Sequence, residues 1–140
     1  MLEHSNRRTF LKQSVAGAVA LHQSTAHAAK DANDKLVVGL IGCGGRGMHD
    51  AGLFQRGSNV EVAYVCDVDE SRGFGAAKKL GVRPTGTVRD MRIVLDDKSV
   101  DAVIVATPDH WHSPASILAC DAGKHVYVEK PISHNIRESR

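Results

Sequence analysis

The chain has 140 residues, a formal net charge of +2 and 42% hydrophobic residues. These values are typical of a single globular domain. Removing residues 1–28, interpreted below as a leader, takes away three basic residues and one acidic residue and leaves fifteen of each. A domain without an excess of Lys and Arg gives no support for binding nucleic acid or an anionic membrane surface.

Residues 1–28 resemble a bacterial twin-arginine export signal. Arg7 and Arg8 precede a short, mildly apolar stretch, and Ala26-His27-Ala28 has the small-x-small form of a signal-peptidase site. The stretch is shorter than the roughly 18 apolar residues that a membrane span needs. We therefore expect a twin-arginine-type signal, a short linker at 29–34, and a mature protein that the twin-arginine machinery exports to the periplasm or beyond. A basic tail followed by an alanine-rich helix is the alternative.

A glycine-rich turn follows the apolar run at residues 36–41. Gly42, Gly44 and Gly47 have G-x-G-x-x-G spacing, in which the glycines allow a tight turn, close approach to a pyrophosphate and close packing of a helix on its strand. The next apolar run ends at Asp67, twenty residues beyond Gly47. A dinucleotide fold needs a carboxylate there to accept the ribose hydroxyls. Together these features predict an NAD site, with a purely structural turn as the alternative.

Apolar and polar residues alternate in a pattern that predicts alternating strands and helices. We predict strands at 36–41, 60–66, 100–106 and 125–129, a very short strand within 83–87, and helices at about 45–55, 70–80, 91–95 and 113–123. Asp69 and Ser113 are the expected N-caps of the second and fourth helices, Gly81 the expected stop of the second, and Pro114 the expected first residue of the fourth. Short connections between such elements predict an α/β fold with a Rossmann-like, doubly wound parallel sheet.

The three cysteines do not form a disulfide or metal pattern. Cys43, Cys66 and Cys120 are widely spaced, and no CxxC pair is present. We interpret all three as small buried apolar residues. The predicted fourth helix carries Cys120 together with Ile117 and Leu118.

Two further clusters follow predicted strands. Residues 106–112 read Ala-Thr-Pro-Asp-His-Trp-His, and residues 129–131 read Glu-Lys-Pro. Ligands of open α/β sheets bind at the carboxyl ends of strands, so both clusters are candidate site segments. His110 and His112 could share a face, but no third ligand cluster accompanies them, and we predict no metal. Trp111 either closes a cleft over a sugar ring or packs at a domain boundary.

Residues 34 to 140 resemble the Gfo/Idh/MocA family of oxidoreductases, which includes glucose-fructose oxidoreductase and inositol dehydrogenase. The resemblance rests on GLIGCGGRG, CDVD, ATPDHWH and VEKP in this order. It implies an enzyme that transfers hydride between a nicotinamide cofactor and a sugar or polyol. The implied cofactor-binding residues are Gly42, Gly44, Gly45, Arg46, Gly47, Asp67, Thr107, Pro108, His112 and Glu129.

The same resemblance implies NAD, since the Asp67 carboxylate would repel the 2′-phosphate of NADP. Arg72 lies close in sequence and leaves NADP as the less favoured cofactor. The resemblance also implies that Lys130 is the catalytic residue, with a cis bond at Pro131. Alcohol oxidation needs a positioned proton acceptor, and lysine can serve when burial or nearby positive charge disfavours its ammonium form. A solvated ion pair between Lys130 and Glu129 is the alternative.

Relatives of this family carry a second α/β domain that shapes the substrate site. The resemblance therefore implies that residues 35–140 are an NAD(P)-binding domain truncated within the helix after Pro131, with its sheet incomplete at the C-terminal edge. We expect this chain alone to have no turnover, and homo-oligomers are possible in a full-length protein. An NAD-dependent glycoside hydrolase that uses transient oxidation is the alternative function, and an inactive fragment is a third.

Overall fold

The computed structural model describes residues 35–138. The predicted leader and linker lie outside this range, so both stay predictions. Among the helices within the range, none has the length and hydropathy needed to span a membrane.

Helices and strands alternate along the described residues. The elements are β1 (Leu36–Ile41), α1 (Gly45–Phe54), β2 (Val60–Cys66), α2 (Glu70–Leu80), β3 (Thr87–Val88), α3 (Met91–Asp96), β4 (Ala102–Val105), α4 (His112–Asp121) and β5 (His125–Val128). Single 3₁₀ turns at Pro84–Gly86 and Asp109–Trp111 precede β3 and α4. All strand pairs are parallel, in the order β3-β2-β1-β4-β5. This open sheet confirms the predicted Rossmann-like, doubly wound fold.

The sheet is buried on both faces. On one face, Val38 and Leu40 of β1 pack in a cluster with residues of α1 and α2. On the other, Ile41 and Val103 pack in a cluster with residues of α3 and α4. A strand covered on both sides must be apolar at successive positions, which is why β1 and β4 read as continuous apolar runs.

The predicted ends of α2 are confirmed. The Asp69 side chain accepts hydrogen bonds from the backbone N–H groups of Ser71 and Arg72, which otherwise have no helical partner. Gly81 ends the helix at φ 72°, a left-handed conformation that glycine adopts without a Cβ clash.

The start of α4 differs from the prediction. The helix begins at His112, directly after a 3₁₀ turn, and Trp111 takes the N-cap position. Ser113 is therefore not the N-cap, and its hydroxyl donates instead to the carbonyl of Ile132 at 2.9 Å. Pro114 lies in the first turn, where its missing N–H removes no helical hydrogen bond.

The face that α4 buries against the sheet consists of small residues. Ala115 and Ala119 are fully buried against the sheet, whereas Ile117 and Leu118 are exposed. Cys120 is exposed as well, so its predicted burial is wrong. The alanines leave room for the helix to lie close to the sheet, and this spacing selects them over the larger apolar residues.

Two other predicted elements differ in extent. Strand β4 is shorter than the predicted strand at 100–106. Strand β3 begins only at the last residue of its predicted range, 83–87, because the preceding three residues form a 3₁₀ turn. Residues 131–138 form bends and turns, so the helix expected after Pro131 is wrong for these residues.

Candidate functional site

A cavity of about 1150 Å³ opens at the carboxyl ends of β1, β2 and β4. The chain leaves the neighbouring strands β1 and β4 in opposite directions across the sheet, and ligands of open α/β sheets bind in the crevice this creates. The cavity wall includes seven of the predicted cofactor-binding residues: Gly42, Gly44, Gly45, Arg46, Asp67, Thr107 and Pro108. Three others, Gly47, His112 and Glu129, are buried outside that wall.

The glycine turn is tightly packed on one side and open on the other. Gly42 has φ +95°, and a Cβ there would lie 2.6 Å from the carbonyl oxygen of Ala106. A Cβ at Gly47 would overlap the carbonyl oxygen of Gly42. Gly44 and Gly45, in contrast, would place a Cβ in open space within the cavity wall. The turn thus needs two glycines for its own packing and presents two others to a ligand.

Helix α1 starts at this open side. Gly44 is its N-cap, without a side-chain hydrogen bond, and Gly45 and Arg46 are its first residues. The first N–H groups of a helix have no helical acceptor and attract anions. The arrangement therefore suits a pyrophosphate.

Asp67 follows β2 and is fixed by backbone contacts. Its Oδ2 accepts a hydrogen bond from the Cys43 N–H at 2.8 Å, and its Oδ1 accepts one from the Asp69 N–H at 2.9 Å. Each carboxylate oxygen has a second lone pair. Asp67 can therefore accept ribose hydroxyls while it holds the glycine turn against β2.

Three arginines of the cavity wall come from the chain after β2 and β3, and only Arg72 among them was considered from the sequence. Arg72, Arg89 and Arg92 line the cavity. They form ion pairs with Asp69, Glu70 and Asp90 respectively. A sequence signal for the latter two exists, since both follow β3 at the carboxyl edge of the sheet. It was missed because β3 was placed too early in the chain.

Thr107 supplies an unsatisfied polar group in the wall after β4. Its hydroxyl oxygen is buried and has no hydrogen-bond partner among the described residues. Buried hydroxyls normally have a partner. A ligand group in the cavity would satisfy this one, and with the open side of the glycine turn it is the feature that best fits a bound dinucleotide.

Glu129, at the end of β5, faces the glycine turn. The Arg46 guanidinium donates from Nη2 to Glu129 Oε1 at 2.8 Å, and the Tyr127 hydroxyl donates to the same oxygen at 3.2 Å. The hydrogen bond from Arg46 is the main cause that holds the pKa of Glu129 below its ordinary value. Arg46 also lies 3.2 Å from Asp50 Oδ1. The pairing of Asp50 with Arg46 was not predicted from the sequence. An acidic residue four positions after Arg46 on the predicted helix was a usable signal for it.

His112 connects the two clusters that follow β4 and β5. Its ring is 3% exposed, with Nε2 at 2.8 Å from the Thr107 carbonyl and Nδ1 at 2.6 Å from the Pro131 carbonyl. A neutral imidazole can donate one of these hydrogen bonds and an imidazolium can donate both. The structure thus gives His112 a bracing contact, and the predicted cofactor contact stays a prediction.

Lys130 lies between these two attachments. Its residue is exposed, and the peptide bond to Pro131 is cis, as the family resemblance implies. Glu129, its predicted ion-pair partner in the alternative reading, is bound by Arg46 and Tyr127.

The thiols and histidines near the cavity have other partners. Burial raises the pKa of the Cys43 and Cys66 thiols to about 12, so both stay protonated and act as packing groups near neutral pH. His110 Nδ1 lies 3.7 Å from Asp109 Oδ1. No group of three His, Cys, Asp or Glu residues in the described range could hold a metal ion.

The profile of a family described as "Oxidoreductase family, NAD-binding Rossmann fold" matches residues 36–140. The chain belongs to this Gfo/Idh/MocA family. Its NAD-binding Rossmann domain is therefore established, and the cavity lies at the carboxyl edge of its sheet, where open α/β sheets bind their ligands.

The relatives include a glycosidase and proteins whose structures were solved with NAD or NADH. An α-N-acetylgalactosaminidase of Shewanella oneidensis is 30% identical, over 98% of this chain and 36% of its own length. Among solved structures, GenD2 from gentamicin A biosynthesis, in complex with NAD, is 31% identical with a TM-score of 0.69, over 76% of this chain and 30% of its own. The WlbA dehydrogenase from Bordetella pertussis, in complex with NADH and UDP-GlcNAcA, is 30% identical with a TM-score of 0.67, over 74% and 32%. The chain thus spans about a third of the length of these relatives.

Proposed function

We propose that this domain serves an enzyme that moves hydride between bound NAD and a carbon of a sugar or polyol. The observation that carries the proposal is the contact between Arg46, in the cavity wall, and Glu129, the residue before Lys130. This contact joins the glycine turn, which suits a pyrophosphate, to the segment that bears Lys130, the proposed proton acceptor. The sugar-related relatives support the substrate class.

In this proposal, the cofactor-binding residues divide the dinucleotide between them. The N–H groups at the start of α1 hold the pyrophosphate, and Asp67 accepts the adenosine ribose hydroxyls. Thr107 and Pro108 line the nicotinamide end, where the Thr107 hydroxyl gains the partner it lacks among the described residues. NAD, when bound, supplies the hydride acceptor.

Lys130 has the proton-transfer role. Removing hydride from an alcohol carbon leaves the hydroxyl proton to be accepted, and a side chain beside the reacting carbon must take it. The exposed side chain of Lys130 extends from a backbone that hydrogen bonds hold on both sides. A backbone held on both sides limits where this amine can lie, and the proposal places the amine beside the reacting carbon.

In this proposal, the local charge around Asp67 determines the preference for NAD over NADP. With Asp67 at the adenosine ribose, its carboxylate would meet the 2′-phosphate of NADP, and Arg72, Arg89 and Arg92 are already paired with Asp69, Glu70 and Asp90. The cluster therefore has little spare positive charge for a phosphate. We propose NAD as the preferred cofactor.

A second function is favoured by the galactosaminidase relative. Oxidation of a sugar carbon would acidify the adjacent C–H, and elimination would then break the glycosidic bond and release the alcohol. Water would add to the resulting double bond, and hydride return to the carbonyl would give the hydrolysed sugar with no net change in the cofactor. The same glycine turn and Lys130 would serve this hydrolase. The two functions differ in whether the cofactor changes redox state overall.

The products of one reaction mixture distinguish these functions. The purified protein that carries this domain is loaded with NAD and offered free sugars, polyols and an aryl N-acetylgalactosaminide, with the Lys130→Met variant as control. Oxidised sugar with NADH supports the dehydrogenase, and freed aryl alcohol with no net NADH supports the hydrolase. If the folded, NAD-loaded protein and its Lys130→Met variant give equal rates, Lys130 does not have the proposed role.

A further inference from the structure

Arg46 contacts two carboxylates that lie away from the cavity. Its Nη2 is 2.8 Å from Glu129 Oε1 and 3.2 Å from Asp50 Oδ1. The family resemblance implies that Arg46 binds the cofactor, since it lies in the glycine turn. Both observed contacts instead connect the start of α1 with the end of β5.

The charges around Arg46 hold it in this place. The side chains of Asp50 and Glu129 are 2% and 9% exposed, and that of Arg46 is 56% exposed. Asp50 Oδ2 is buried without a hydrogen-bond partner among the described residues. Two buried carboxylates thus share one guanidinium. His49 Nδ1 also lies 3.3 Å from Asp50 Oδ1, but Arg46 is the permanently charged group that contacts both carboxylates, so its removal would leave buried negative charge poorly compensated. The pKa of Arg46 is raised, and the hydrogen bond to Glu129 is the main cause.

Glu129 in turn fixes the chain immediately before Lys130. Glu129 directly follows β5, and its backbone N–H donates to the Val105 carbonyl at 2.9 Å. Its side chain is held by Arg46 and Tyr127. On the far side of Lys130, His112 and Ser113 contact the Pro131 and Ile132 carbonyls. The exposed Lys130 side chain therefore starts from a backbone held at both ends.

We propose that Arg46 is a positioning residue that acts on Lys130 through Glu129, and that it is not a main ligand of the cofactor pyrophosphate. This inference rests on the proposed function, in which Lys130 faces the nicotinamide end of the cavity. Loss of the guanidinium would free the Glu129 side chain and let Lys130 point away from the cofactor. Pyrophosphate binding would persist, because the backbone N–H groups of the turn supply it.

The test measures NAD affinity and the position of Lys130 separately. Purified wild-type and Arg46→Met chains are titrated with NAD by calorimetry, then treated with formaldehyde and a mild borane, with and without saturating NAD. Mass spectrometry gives the methylation rate of each lysine. In the wild type we expect NAD to slow methylation of Lys130 by about tenfold, a typical coupling between two groups at one site. In Arg46→Met we expect less than about twofold slowing, with NAD affinity within about threefold of wild type.

Three controls keep the result interpretable. Lys78 and Lys79 on α2 are exposed, and their methylation should not respond to NAD. Arg56→Met removes an exposed arginine just beyond α1 and should behave as wild type. Arg46→Lys keeps the cation but not the planar fork of donors. It should fold even if the Met variant does not, as cooperative thermal unfolding would show, and should give intermediate protection of Lys130.

The possible failures differ from one another. If NAD does not protect Lys130 in the wild type, the proposed placement of Lys130 is wrong, and this inference is wrong with it. If Arg46→Met or Arg46→Lys retains full protection, the positioning role is wrong while the proposed function stands. A loss of NAD affinity beyond about tenfold with protection retained at saturation would make Arg46 a phosphate ligand instead.

Discussion

Gly44 and Gly47 belong to one turn, but a methyl group would affect them in opposite ways. At Gly47 a Cβ would overlap the Gly42 carbonyl oxygen and lie 3.2 Å from Leu40 Cδ1, a residue of the central strand. At Gly44 a Cβ would meet no atom within 4 Å, and the backbone has φ −69°, which alanine adopts readily. Spacing alone assigns both glycines to one motif. Their surroundings assign one to packing and the other to ligand approach.

This contrast predicts two different phenotypes. We expect Gly47→Ala to destabilise the chain by about 1–3 kcal/mol through overpacking. We expect Gly44→Ala to unfold at the same temperature as wild type or slightly higher, because alanine restricts the unfolded chain, and yet to bind NAD at least about tenfold more weakly. Thermal unfolding and calorimetric titration of both variants check this. Equal losses of stability would show that Gly44 packs against the fold.

At the scale of elements, the segment after β5 is held to the segment after β4. His112 and Ser113 contact the carbonyls of Pro131 and Ile132, and His134 Nδ1 lies 3.0 Å from Asp109 Oδ2. The hydrogen bond between the last pair raises the pKa of His134 and lowers that of Asp109. These contacts attach the residues that follow Lys130 to the segment after β4.

The His134–Asp109 pair predicts a pH-dependent contact. The part from His134 is fully present below its ordinary pKa of 6.5 and is lost as pH rises through its raised value. The part from Asp109 is present above its ordinary pKa of 3.8 and is lost as pH falls through its lowered value. The difference in thermal stability between wild type and Asp109→Asn should therefore be largest between these two ordinary values and shrink as pH rises through the raised pKa of His134.

An NMR titration of the His134 ring provides the direct readout. Its apparent pKa should move towards 6.5 in Asp109→Asn. Glu138 also favours the charged form of His134, so Glu138→Gln is the matched control and should give the smaller change. An unchanged His134 pKa in Asp109→Asn would show that the two side chains do not pair in solution.

At the scale of the whole molecule, the parallel sheet and the edge that bears the cavity could be predicted from the sequence. Apolar runs such as 36–41 are long enough to identify buried parallel strands, and their carboxyl ends must share one edge of the sheet. The contact between Arg46 and Glu129 could not be predicted, because the residues are 83 positions apart and no periodic pattern relates them. The cofactor contact of His112 was implied by the family resemblance and stays a prediction. The contacts of its ring with the Thr107 and Pro131 carbonyls could not be predicted, because no sequence pattern relates these residues.

The titration of purified, folded chain with NAD and NADP tests the central claim most directly. Calorimetry should show one NAD bound per chain, weaker binding of NADP because of Asp67, and a loss of NAD affinity in Gly44→Ala, whose fold is expected to be intact. Substitution of Asp67 by Ala should reduce the preference for NAD over NADP. A chain that unfolds cooperatively yet binds NAD no better than Gly44→Ala does would contradict the assignment of this turn as the cofactor site.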